Sequence, residues 1–285
     1  MARVVYVNGR YRPYRNAMVH CEDRGFQFSD GVYEVCEVLD GRIVDERRHM
    51  ERLQRSLGAL RMALPMPLRA LSQVLHEVVR RNRVSDGIVY LQITRGVAKR
   101  EHAFPPPGTA PTLVVSARRI DRSQNERTAQ AGIAVITVPE NRWARVDIKS
   151  VALLPNVLAR QAAREQGARE AWFVDRDGLV TEGAASNAWI DTADGIALTR
   201  PTGHDILGGI SRAVVKDVLA DIQVRLTERP FTVAEALAGR EAFITAATQL
   251  VMPVVRIDGR PIGEGKPGPV ALALREAFHR HAELT

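Results

Sequence analysis

Apolar and polar residues alternate from position 3 to position 8, and Asn8-Gly9 follows as a hairpin signal. Residues 32–39 are rich in β-formers, and Asp40-Gly41 turns them back into a short strand at 42–44. The period then changes. Met50, Leu53, Leu57 and Leu60 share one face of a helix predicted over 46–62, which Pro65 and Pro67 end. A second amphipathic helix is predicted over 68–82. Strands at 88–94 and 112–117 flank a loop with Pro105-Pro106-Pro107-Gly108. The stretch 119–130 is polar and reads as a linker. Beyond it the pattern predicts strands at 133–138, 171–174, 188–190, 243–245 and 254–257. Helices are predicted at 156–166, at 211–220 and after Pro267-Gly268-Pro269. Strands and helices mix without a strict βαβ rhythm and without an internal repeat. The expectation is two α+β domains: a small one over 1–118, a linker over 119–130 and a larger one over 131–285.

The chain has 285 residues, enough for two domains, and 45% hydrophobic with 26% charged residues suits a globular fold. No apolar run approaches a membrane span, and the first residues lack the features of a signal peptide, so a cytoplasmic protein is expected. Cys21 and Cys36 cannot form a disulfide framework, and the seven histidines show no metal-ligand spacing, so no metal is expected. The net charge of +7 permits a nucleic-acid-binding module. Arginines alternate with acids, however, and no nucleic-acid motif accompanies them.

The basic residues are almost all arginine. Only Lys99, Lys149, Lys216 and Lys266 could perform lysine chemistry. Lys149 stands out because apolar residues flank it in Val146-Asp147-Ile148-Lys149-Ser150-Val151-Ala152-Leu153. Burial would favour the neutral amine that Schiff-base chemistry needs. On these residues alone, an ordinary strand-end lysine is the favoured reading. In Thr181-Glu182-Gly183-Ala184-Ala185-Ser186-Asn187, a carboxylate sits among small residues that would let a flat ligand approach. A polar hairpin loop would look similar. Gly208-Gly209-Ile210-Ser211-Arg212 opens a helix whose N–H groups could hold a phosphate, or could merely be capped by Ser211. No phosphate-loop or dinucleotide fingerprint is present.

Taken in order, these three segments resemble the class IV aminotransferases, the fold-type IV enzymes that use pyridoxal phosphate. Glu22-Asp23-Arg24-Gly25-Phe26-Gln27-Phe28-Ser29-Asp30-Gly31-Val32-Tyr33-Glu34 and His49-Met50-Glu51-Arg52-Leu53 are similar to the family's early segments. The likeness covers nearly the whole chain. Thr94-Arg95-Gly96-Val97-Ala98-Lys99-Arg100-Glu101-His102-Ala103-Phe104-Pro105 resembles the carboxylate trap of members specific for D-amino acids. A guanidinium can grip a carboxylate with two charge-assisted hydrogen bonds, and a histidine two residues on adds a donor.

The resemblance implies a two-domain α+β fold with mixed sheets and flanking helices, a homodimer, and cofactor sites at domain and subunit boundaries. It implies that Lys149 carries the cofactor and moves the α-proton, and that Glu182 keeps the ring nitrogen protonated. Arg52, Ile210, Ser211, Ala247 and Thr248 would hold the phosphate, and Arg142 would contact the phenolic oxygen. Tyr33, Arg100 and His102 would bind the substrate carboxylate. The expected reaction moves an amino group between a D-amino acid and a 2-oxo acid. Branched-chain or R-selective amine transaminases and aminodeoxychorismate lyases are the related alternatives. Two departures stand out. Ala184-Ala185-Ser186 replaces a serine-rich stretch. Thr245-Ala246-Ala247-Thr248-Gln249-Leu250 lacks the family's usual hydroxyl at Ala247 and glutamate at Leu250.

Overall fold

The computed structural model describes residues 3–285. Met1 and Ala2 lie outside the described residues. The chain divides into two compact units.

The first unit runs to Asp121. It contains strands β1 (Val4–Val7) and β2 (Arg10–Pro13), helix α1 (Arg24–Phe28), strands β3 (Gly31–Leu39) and β4 (Arg42–Ile43), helices α2 (Glu46–Ala59) and α3 (Leu68–Arg81), and strands β5 (Gly87–Thr94) and β6 (Thr112–Arg119). The strands form one antiparallel sheet in the order β2-β1-β6-β5-β3-β4. Strand alternation puts Val32, Cys36 and Val38 of β3 into the core, against Leu53 and Leu57 of α2 and Leu71 and Leu75 of α3. Each such leucine, fully buried, contributes about 1.5–3 kcal/mol. The same alternation drives a carboxylate inward, because Glu34 is in phase with the apolar set and is 0% exposed. Its charge has to be answered from α2.

The second unit contains α4 (Arg122–Ala131), β7 (Ile133–Pro139), α5 (Leu154–Glu165), β8 (Glu170–Val174), β9 (Val180–Gly183), β10 (Asn187–Asp191), β11 (Ile196–Thr199), α6 (Ile210–Asp221), β12 (Arg225–Glu228), α7 (Val233–Ala238), β13 (Glu241–Ala246), β14 (Leu250–Ile257), β15 (Arg260–Pro261) and α8 (Pro269–His281). Its nine-stranded sheet follows β12-β11-β10-β13-β14-β7-β8-β9, with β15 paired to β14. The β11–β12, β14–β7 and β7–β8 pairs are parallel and the rest antiparallel. A bridge between Leu179 and Thr232, and the bond from Val180 N–H to the Phe231 carbonyl (2.9 Å), bring the β9 edge against the chain beyond β12. The sheet thus curls around Trp172, Ile190, Phe231, Ile244 and Met252. On its outer side Trp189 and Phe243 stack with ring centroids 5.5 Å apart, beneath α6 and α8.

The two units divide between Asp121 and Arg122, inside the stretch 119–130, but that stretch is not a bare linker. Most of that stretch is α4, which belongs to the second unit. Only Ala129 of this helix is buried, so it shows no apolar periodicity to read. Residues Ile148–Ala152, expected in the second domain, group with the first unit. Tyr33 N–H bonds the Lys149 carbonyl (3.0 Å), Val151 N–H bonds the Gly31 carbonyl (3.0 Å), and Ile148 enters the first core. The last residues, Glu283–Thr285, also group with the first unit, through paired bonds between Thr285 and Ile43. No helix among the described residues is long and apolar enough to cross a membrane.

Candidate active site

In the first unit, β3, α2 and the segment around Lys149 converge. Lys149 is half-buried. Its backbone N–H bonds Ser56 Oγ (3.2 Å), and its Nζ lies 4.3 Å from the centre of the Tyr33 ring. The other lysines are placed differently: Lys216 pairs with Glu228, while Lys99 and Lys266 are exposed. One and two turns before Ser56 on the inward face of α2 lie Arg52 and His49. Arg52 grips Glu34 in fork geometry, with Nε on Oε1 at 2.8 Å and Nη2 on Oε2 at 2.7 Å. His49 Nδ1 lies 2.7 Å from Glu34 Oε2. Burial alone would raise the Glu34 pKa, but the Arg52 charge and the hydrogen bonds from Arg52 and His49 outweigh it, leaving the carboxyl far below its ordinary range. Burial, aided by the Arg52 and Lys149 charges, lowers the His49 pKa despite Glu34. Because the Glu34 carboxylate can only accept, His49 donates its Nδ1–H to it.

In the second unit a second cluster forms around Asn187. Glu182, 5% exposed on β9, accepts from Arg142 Nη1 (2.6 Å) through Oε1. Its Oε2 accepts from Asn187 Nδ2 (2.9 Å) and from Leu207 N–H (3.0 Å). Asn187 Nδ2 also donates to the Leu207 carbonyl (2.8 Å). Its Oδ1 occupies the space beside Gly209, where an added Cβ would lie 2.0 Å from it. Gly209 is the N-cap of α6, and no side chain caps this helix, so Ser211 stands inside the first turn and does not cap it. Asn187 is also the register partner of Thr245, four residues before the end of the 247–249 turn. That turn is fixed by bonds from Asn125 Nδ2 to the Thr248 carbonyl and from Arg275 Nη1 to the Gln249 carbonyl. Asn187 therefore links Glu182, the start of α6 carrying Ile210 and Ser211, and the strand leading to Ala247 and Thr248. It was legible as part of a motif but not as a hub.

Arg142 lies between two carboxylates of this unit. Its hydrogen bonds run to Glu140 (Nε–Oε1 2.9 Å, Nη2–Oε2 2.6 Å) and to Glu182. Burial works against its charge, but Glu140 and Glu182 more than offset that and raise its pKa. It is a support for Glu182. The small stretch has its own ties. Asn156 Nδ2 holds the Ala184 carbonyl (2.8 Å), and Ser186 Oγ bonds buried Glu170 (3.2 Å). Arg100 and His102 lie on an exposed loop of the first unit, both against the Phe28 ring, at 5.2 Å and 5.4 Å.

Each unit by itself offers groups that suit pyridoxal phosphate. In the first, a half-buried lysine amine suits an aldehyde and a buried guanidinium suits a phosphate; in the second, an uncapped helix start suits a phosphate and a carboxylate held by three donors suits a ring nitrogen.

Comparison with known proteins agrees with this chemistry. The sequence profile of the family described as amino-transferase class IV matches residues 31–257. The D-alanine aminotransferase of Staphylococcus haemolyticus is 38% identical over 279 residues, covering 98% of both chains. That of Bacillus licheniformis is 38% identical over 274 residues, covering 96% of this chain and 95% of its own. Among solved structures, the branched-chain aminotransferase of the archaeon Thermoproteus uzoniensis with norvaline superposes with a TM-score of 0.85 at 25% identity, covering 98% of this chain and 94% of the other. The chain belongs to the class IV aminotransferases, enzymes that work with pyridoxal phosphate.

Proposed function

We propose that this enzyme is a D-amino-acid transaminase that moves an amino group between a D-amino acid and a 2-oxo acid, for example from D-alanine to 2-oxoglutarate, giving pyruvate and D-glutamate. Full-length similarity to D-alanine aminotransferases carries this reading. The paired Arg100 and His102 favour it over a branched-chain or amine transaminase or a lyase, because they suit an α-carboxylate.

When bound, pyridoxal phosphate supplies an aldehyde that condenses with amines and a ring that takes up the electron pair left by a departing α-proton. Lys149 Nζ is the amine that holds the cofactor between turnovers and the base that removes the α-proton of the donor. Glu182, held and aimed by Arg142, Asn187 and the Leu207 N–H, favours the protonated ring nitrogen. Arg52, the N–H groups of Ile210 and Ser211, and the turn at Ala247 and Thr248 hold the phosphate. Glu34 neutralises part of the Arg52 charge and fixes its plane. Tyr33, Arg100 and His102 bind the α-carboxylate and so choose the enantiomer.

The working form is a homodimer. Helix α5 exposes Leu154, Val157 and Leu158 on one face, and this apolar stripe suits a second copy of the chain. Arg100 and His102 serve the site of that second copy. Cys21 and Cys36 are both free thiols, which suits the cytoplasm. The test is an amino-donor screen with both enantiomers and 2-oxoglutarate as acceptor. D-alanine is expected to be used in clear preference to L-alanine, L-leucine and L-valine. A preference for the L-amino acids overturns the D-specific reading and favours the branched-chain alternative.

A further inference from the structure

The loop that carries Arg100 and His102 is exposed, yet it hangs from buried guanidinium groups. Arg24, 3% exposed at the start of α1, donates Nη1 to the Glu101 carbonyl (2.6 Å) and Nη2 to the His102 carbonyl (3.4 Å). A buried guanidinium ordinarily spends its donors on carboxylates. Here only Nε goes to one, Asp30 Oδ2 at 2.8 Å, and the remaining donors reach across more than seventy positions of sequence to a loop backbone. Asp30 is shared. Arg95 binds it through Nε (2.7 Å) and Nη2 (2.9 Å), and Arg95 lies 3.8 Å from the centre of the Phe104 ring further along the loop. One carboxylate thus braces two guanidinium groups, one holding the loop at 101–102 and the other at 104.

The geometry has a consequence for the residues between. The loop bends at Arg100 and at His102, and both side chains lie against the Phe28 ring, which Arg24 also approaches, at 4.9 Å. Fixing the 101 and 102 carbonyls fixes the direction of both side chains, and Phe28 sets their spacing.

We propose that Arg24, braced by Asp30, is a positioning residue for the carboxylate-binding pair Arg100 and His102, with Phe28 as their platform. The proposal rests on the reading that this pair binds the substrate carboxylate. Arg24 touches neither substrate nor cofactor. Its effect is on KM for donors that bear a carboxylate, through the preorganisation of the pair.

The test uses the holoenzyme and three variants: Arg24→Lys, Phe28→Leu and Arg100→Ala. Lysine keeps the charge but cannot serve Asp30 and two carbonyls at once. Phe28→Leu keeps apolar bulk, removes the ring and serves as the second probe if Arg24→Lys does not fold. Kinetics with D-alanine are compared with the half-reaction of a primary amine, which has no carboxylate. Arg24→Lys and Phe28→Leu are expected to raise KM for D-alanine about tenfold while kcat stays within about twofold, and to leave the amine half-reaction unchanged. Adding Arg100→Ala to Arg24→Lys is expected to cost less than Arg100→Ala alone, since both act on one contact. If Arg100→Ala impairs D-alanine turnover while folded Arg24→Lys and Phe28→Leu behave as wild type, the proposal falls and the carboxylate reading stands. Equal losses with D-alanine and the amine, or strict additivity, also overturn it. If Arg100→Ala itself has wild-type kinetics, the carboxylate reading fails and takes this proposal with it.

Discussion

Replacing Glu34 by glutamine should destabilise the first unit, and the size of the loss can be worked from the geometry. Glu34 is 0% exposed and accepts two charge-assisted bonds from Arg52, at 2.8 and 2.7 Å, and one from His49 at 2.7 Å. Removing one member of such a buried pair leaves the other charge uncompensated and costs about 3–5 kcal/mol. Glutamine keeps one acceptor oxygen, so the lower end, about 3 kcal/mol, applies. At roughly 2–4 °C per kcal/mol for a chain of this class, the cofactor-free protein should melt about 6–12 °C lower at pH 7. The pH dependence fixes the cause. The Glu34 pKa is depressed in the folded state, so between the folded and unfolded values the unfolded chain binds more protons, and stability rises with pH there. The Glu34 contribution is present in full above the unfolded value near ~4.3 and is lost as pH falls below it. The melting gap between wild type and variant should therefore be constant from neutral pH down to about pH 5 and narrow in more acidic buffer. Thermal melts followed by circular dichroism across that range provide the assay. The double variant Glu34→Met/Arg52→Met should recover part of the loss, because an apolar pair replaces an orphaned charge. A melting temperature equal to wild type, or a gap that ignores pH, would refute the reasoning.

Borohydride reduction of the holoenzyme should fix the cofactor to Lys149, and Lys149→Ala should remain folded and be inactive. Peptide mapping that places the label on Lys99, Lys216 or Lys266 rejects the assignment. Glu182→Gln should still bind cofactor but remove the α-proton about a hundredfold more slowly, equivalent to about 2.7 kcal/mol of barrier. Unchanged single-turnover rates would show that the carboxylate has no such role. Gly209→Ala should weaken cofactor affinity at least about tenfold, because its Cβ would lie 2.0 Å from Asn187 Oδ1 and push that side chain off Glu182 and the start of α6. Equal cofactor titrations for this variant and wild type would contradict the role given to Asn187.

The sequence was legible where burial is one-sided. Strands β3, β5 and β6 and helices α2 and α3 each turn an apolar set to a common core, and their periods of two and of three to four show it. It was illegible where an element buries almost nothing or is short. Helix α4 conceals only Ala129, α7 only Ala236, and four-residue β9 and β12 are too brief to establish a period. The wrapping of Ile148–Ala152 onto the first unit has no local signal, because it depends on backbone bonds to Gly31 and Tyr33, more than a hundred positions away.

The chemistry was legible chiefly through the family resemblance, which brought in Arg52; the structure adds residues that break the packing logic. Glu34 sits on the apolar face of a strand and Arg52 on the apolar face of a helix, and each is tolerable only because the other is there. Composition singled out Lys149 by leaving so few lysines, and glycines before α6 marked a helix start without a capping side chain. The linking residues are silent in sequence. Asn187 reads only as part of a motif until its amide is seen to join Glu182 and Leu207, with its Oδ1 beside Gly209. Arg24 and Asp30 look like ordinary surface charges until Arg24 is found buried, with Asp30 bracing it beneath a distant loop. Groups that face a ligand are constrained by chemistry and read as motifs. Groups that aim them are constrained only by where the fold brings them, and a polar residue of almost any type could stand at such a position in a different chain.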